Sequence, residues 1–333
     1  MGLFRAGIVS ASPLASLALL AASLGGGCGA QSVPTDDTIR LPERPDGGAE
    51  SGSAGPSAEG GASDSAPTGD GATSACDLAQ PFGTPAAIGE LNTVDEDMVS
   101  DVSLDGLTIY VGTNHGVAGV HQFFAVRPTA SAAFGPLQPL FPSGAFDDWS
   151  ATLGSDGLVA MVSSDRGGNS DLYVATRASA LAVFGALSPV AGVNTTANEE
   201  GPRLSADGKT LYFDSTRSGA RSIWSAPVVG SGVGTPQPLT ELNTGTLEAV
   251  PVLSPDELTI YFLSQRAPTT DGDIYVATRA SRTQAFSNAH ALANVNSPAL
   301  DAPGHVTADG CALYLSSLRG NGKFDIYVAR RPK

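Results

Sequence analysis

Five apolar runs recur along the chain: IYVGT (109–113), AMVSS (160–164), LYFDS (211–215), IYFLS (260–264) and LYLSS (313–317). Each is short and hydrophobic on successive positions, not alternating ones. That pattern predicts a strand covered on both faces. A polar turn such as SADG or SPDE precedes each run, and its Asp falls at Asp105, Asp156, Asp207, Asp256 and Asp309, in steps of 51, 51, 49 and 53 residues. Gly follows the turn Asp in every repeat but the fourth, where Glu257 stands. Five residues on lies Tyr110, Met161, Tyr212, Tyr261 or Tyr314, and ten residues on lies His115, Arg166, Arg217, Arg266 or Arg319. Eight residues before it the chain is always acidic: Asp97, Asp148, Glu199, Glu248, Asp301. A period near fifty built from short β-type runs predicts an all-β fold, a five-bladed β-propeller with one four-stranded antiparallel blade per repeat.

Within a repeat, a run ending at the turn (Pro202 to Ser205 in the third) reads as the innermost strand and the apolar run as the second. The third run is DLYVATR (171–177), DIYVATR (273–279) or DIYVARR (325–331), with weaker copies HQFFAVR and SIWSAPV. A fourth follows near a Phe-Gly, as in FGPLQPL (134–140) and FGALSPV (184–190), and its prolines suit an edge strand. The last repeat stops after its third run, while FGTPAAI (82–88) stands unclaimed ahead of the first. The economical reading is that 82–88 completes blade five and closes the ring, leaving no open edge. In an up-and-down blade, the start of the fourth strand and the turn between the first two lie on one side. Cys76 and Cys311 are therefore predicted to form a disulfide fastening the chain ends.

The run LSADGKTLYFDSTR, and its sibling LSPDELTIYFLSQR followed by DIYVATR, resemble the WD40-like (PD40) propeller repeat of the TolB family. The likeness covers 82–331 and departs at His115 and Met161. It implies an envelope propeller that serves as a binding platform, mostly for protein partners. TolB proteins carry an α/β domain ahead of the propeller; here residues 28–78 are Gly, Ser, Ala, Pro and Asp, a composition that predicts a flexible tether.

Residues 1–27 have the layout of a secretory signal, one positive charge and then an apolar run, leading into Cys28. The ending resembles a bacterial lipobox, which implies lipidation of Cys28, and Gly29 after it points to the outer membrane, periplasmic or surface side. A formal charge of −15 argues against a nucleic-acid partner. The expected picture is a monomer that meets the membrane only through its lipid.

The acids Asp97, Asp148, Glu199, Glu248 and Asp301 are the leading candidate binding face, expected to ring one end of the central channel. Two readings stand: they bind a cation, a sugar or a basic loop, or they pair with Arg166, Arg217, Arg266 and Arg319 as a blade motif. Blade one, with His115, has no arginine for Asp97. Asp95 to Asp97, Asp147, Asp148 and Glu199, Glu200 form a denser acidic cluster, with Trp149 either an exposed anchor or a wedge between blades. No catalytic triad, zinc pattern or EF-hand loop is recognisable, so no cofactor or metal is expected. The expected function is a non-catalytic protein-interaction module. The alternative is a carbohydrate-binding or glycoside-hydrolysing propeller using carboxylates around the channel.

Overall fold

The computed structural model describes residues 76–333, apart from 117, 118, 143, 181, 230, 231, 269 and 270. The signal, Cys28 and most of the tether lie outside the described residues. The described part contains no helix; its strands form five antiparallel blades arranged as a β-propeller. The inner strands are Asp97–Val102, Asp148–Leu153, Glu199–Leu204, Glu248–Leu253 and Asp301–Val306. Each thus starts at the acidic residue, several positions earlier than the Pro202 start expected for blade three. A bulge in every inner strand hides this longer strand in the sequence, because it breaks the pleat after the acid.

The second strands carry the apolar runs, Thr108–Thr113, Val159–Ser164, Thr210–Ser215, Thr259–Ser264 and Ala312–Ser317. The third strands follow, and the outermost are short, only Gln138–Pro139 in blade one and Ser287–Ala291 in blade four. Blade five takes its outer strand from the head of the chain: Ala86 pairs Val328 and Ala87 pairs Tyr327. Flanking bonds from Gly83 N to Arg330 O (2.9 Å) and Ile88 N to Ile326 O (3.0 Å) extend the seam. Cys76 and Cys311 are joined by a disulfide (Cα–Cα 5.6 Å) beside it.

Because both faces of each blade are apolar, the core is divided among the five seams between blades. Phe82, Tyr261, Ile274 and Leu313 fill the seam of blades four and five, and Ile223, Ile260 and Phe262 that of three and four. Truncating a fully buried Phe262 to Ala would cost roughly 3–5 kcal/mol. Four seams also carry a polar clamp, in which the repeat's Tyr hydroxyl meets the arginine ending the third strand of the next blade. Arg279 lies 3.2 Å from the Tyr212 hydroxyl and Arg127 3.2 Å from that of Tyr314. Arg177 bonds Tyr110, and Arg331 bonds Tyr261. The exception is the seam of blades two and three. There Met161 replaces Tyr, Val228 stands where the arginine would be, and the two pack in one apolar cluster. Glu257, at the turn position held elsewhere by Gly, adopts φ 60° and accepts the Tyr212 hydroxyl at 2.8 Å.

Candidate functional site

The propeller has two unlike faces: a head face where inner strands begin, and a turn face carrying the Asp-Gly turns. The five acids predicted as a binding face sit at the head face, first in their strands, and are buried. The structure does not gather them into one ligand-facing ring; each is held within its own blade. Arg166 meets Asp148 at 2.8 Å, Arg217 meets Glu199 at 3.2 Å, Arg266 meets Glu248 at 3.5 Å and Arg319 meets Asp301 at 2.5 Å. In blades one, three, four and five a backbone N–H four residues upstream also donates to the acid, as Thr195 N does to Glu199 at 2.7 Å. Such pairs lock the crossing between blades, since a buried carboxylate must be matched by a charge and by donors.

The neighbouring acids are also engaged. Glu200 pairs with Arg221 at 2.5 Å, and the same guanidinium meets the buried Asp214 at 2.7 Å. Asp147 accepts from Val120 N at 2.7 Å, and Glu96 accepts from Phe324 N at 2.7 Å. Trp149 is half-buried, at the bulge of the blade-two inner strand. Asp97 differs from its four counterparts and is taken up below.

A second set of residues, four places before each turn Asp, lines the channel near the turn face: Asp101, Thr152, Arg203, Val252 and His305. Three of them converge on the carboxylate of a fourth, Asp101. Arg203 pairs with Asp101 across the axis and donates to Ser100 O at 2.8 Å and to Gly304 O at 2.5 Å. His305 Nδ1 lies 2.8 Å from Asp101 Oδ1, and Thr152 Oγ1 donates to Asp101 Oδ2 at 2.9 Å. Burial works against ionisation of Asp101, yet Arg203 and His305 outweigh it and hold the carboxyl at about 2. Four blades are thereby tied together by an ion-paired plug in the channel. In the sequence this set shows only as five chemically unlike residues at one register, where the repeats disagree.

Above the plug lies a cavity of about 890 Å³ at the turn-face mouth of the channel, lined by all five blades and walled on one side by the seam of blades one and two. Its walls include Tyr110, Phe124, Leu140 and Phe184. Burial, with the Asp101 charge adding to it, pushes the Tyr110 hydroxyl up to about 12, so it stays protonated. At the rim, Leu104, Val126 and Val183 are exposed by 49%, 47% and 83%. The apolar side chains of Leu104 and Val126 have no large aliphatic counterpart at their positions in the other repeats. The position of Leu104 holds Ser155, Ala206, Pro255 or Ala308 in the other repeats, and that of Val126 holds Thr176, Pro227, Thr278 or Arg330. Asp105, on the same rim, is held below its usual range by the Ser103 hydroxyl and the Leu107 N–H.

No family model matches this chain, and no curated protein matches it. Among solved structures it is similar to TolB from Acinetobacter baumannii, at 14% identity and a TM-score of 0.43 over 76% of this chain, spanning 56% of that one. It is also similar to a candidate glycosidase from Bacteroides thetaiotaomicron, at 10% identity and a TM-score of 0.50 over 78% of this chain and 94% of that one. A candidate glycoside hydrolase from Bacteroides ovatus is 9% identical, with a TM-score of 0.48 over 76% of this chain and 97% of that one. At such identities the likeness is one of fold, and a propeller fold hosts many functions.

Proposed function

We propose that the chain is an exported, lipid-anchored envelope propeller that works as a non-catalytic interaction module, and that it engages a protein partner through the turn face. The observation that carries this reading is the apolar rim of Leu104, Val126 and Val183 on the blade-one and blade-two side of the turn-face cavity. Exposed apolar groups beside a concave, well-packed floor are what protein interfaces use as anchors. Export is supported by the Cys76–Cys311 disulfide, which persists in oxidising compartments. The lipobox at Cys28 supports the anchor. A glycosidase needs one carboxyl that holds a proton near neutral pH. Asp101, at the floor of this cavity, is held ionised by Arg203 and His305 and does not fit that acid role.

The test is site-specific photocrosslinking in the producing cell. A photoreactive residue at position 104 should yield a discrete adduct with one envelope protein. One at position 218, on the head face of blade three, should not, and Val183→Asp should abolish the adduct. Equal adducts from both positions, or glycan binding in their place that survives Val183→Asp, would overturn the reading.

A further inference from the structure

In blades two to five one arginine does three things at once. Its terminal nitrogen meets the buried acid at the start of the inner strand. Its Nε donates to the hydroxyl two residues upstream, at 2.9 Å for Ser164, 3.0 Å for Ser215, 2.9 Å for Ser264 and 2.9 Å for Ser317. Its guanidinium lies over the third-strand aromatic, 5.1 Å from the Tyr173 ring centre, 4.9 Å from Trp224, 4.8 Å from Tyr275 and 5.0 Å from Tyr327.

Blade one keeps every part of this receptor except the arginine. Asp97 begins the inner strand with none of its surface exposed. Thr113 supplies the hydroxyl in the place of the serines and is equally buried. Phe123 supplies the ring: it pairs with Val111 as Tyr173 pairs with Val162 and Tyr327 with Leu315. The residue at the arginine position is His115, whose side chain is 57% exposed and faces Asp95 at 3.4 Å. The consequence is visible on one atom. Asp97 Oδ2 accepts from Thr93 N, but Oδ1 is buried and has no hydrogen-bond partner. The same atom of Asp301 receives Arg319.

We infer that blade one carries a guanidinium-binding site, formed by Asp97, Thr113 and Phe123, that accepts an arginine-type cation from outside the chain. The chemistry favours this class because a carboxylate oxygen, a hydroxyl and an aromatic face match a planar monocation, and four sibling sites in the same molecule hold that group. The approach is from the side of His115 and Asp95, which are open to solvent. This site is on the head face, at the opposite end of the channel from the apolar cavity, and does not depend on the function proposed above.

The experiment titrates methylguanidinium into the full exported chain, following the melting temperature and the heat of binding. Wild type should give a saturable rise in melting temperature. His115→Arg supplies the cation internally and should give none, and Asp97→Asn should weaken binding at least about tenfold, as loss of a charged partner does. Circular dichroism checks that both variants are folded, and if Asp97→Asn is not, His115→Arg alone decides. An arginine-bearing peptide that binds more tightly than methylguanidinium identifies a polypeptide source, and equal binding identifies a free cation. The same saturable response in wild type and His115→Arg, or none in either, would overturn the site.

Discussion

At the head face, each acid that begins an inner strand is met in four blades by an arginine of its own repeat, 18 residues further along. At the turn face, Asp101, Thr152, Arg203 and His305 come from four different blades and satisfy one another across the axis. The first arrangement is repeated because its partners are local, so any copy of the unit brings it along. The second exists once, because it needs the ring to be closed. The acids that begin the inner strands serve the crossing between blades where an arginine matches them, while the features that occur once, the plug, the apolar rim beside it and the unmatched Asp97, are where recognition is expected.

Substitutions separate these two uses. Removing a repeated acid should have the largest effect: Glu199→Ala leaves Arg217 opposite no charge and should cost about 3–5 kcal/mol in urea unfolding. Crosslinking at position 104 should be unchanged wherever that variant is folded.

The plug comes next. Asp101 has its folded value depressed to about 2 from 3.8, so its contribution to stability is fully present above pH 3.8 and is lost as pH falls through 2. That difference corresponds to about 2 kcal/mol. Stability measured from pH 4.5 down to pH 2 should therefore fall less steeply in Asp101→Asn than in wild type. Equal slopes would show that the plug does not hold the carboxylate ionised.

His115→Arg should stabilise the fold by about 1 kcal/mol, the scale of satisfying one buried polar atom, read as a higher urea midpoint with unchanged slope. Last, Val183→Asp on the rim should move stability by less than about 0.5 kcal/mol, as surface changes do, while abolishing the crosslink from position 104. A large loss of stability there would mean that the rim is core and not a recognition surface.

Much of the fold is legible in the residues because each repeat is short and self-similar. The turn Asp–Gly, the doubly apolar second strand and the Phe-Gly before the outer strand each report a local preference. The unclaimed FGTPAAI segment then supplies the edge that blade five lacks. The same comparison picks out His115 and Met161 as departures, yet their meanings lie in their neighbours. Met161 is explained only by Val228 in the next blade, and His115 only by the unmatched oxygen of Asp97. The rim residues Leu104 and Val126 read as unremarkable members of turn and strand until the seam places them side by side.

The amino-acid order by itself determined the number of blades, the closing strand and the residues that cap each turn, because those follow from hydrophobic period and from contacts within one repeat. Which carboxylates are neutralised across the axis, and which apolar side chains are left facing water, was decided only by the closed ring. Asp101 and Arg203 lie on different blades, and a charge is matched by what stands within a few ångströms of it in space, whatever the distance along the chain.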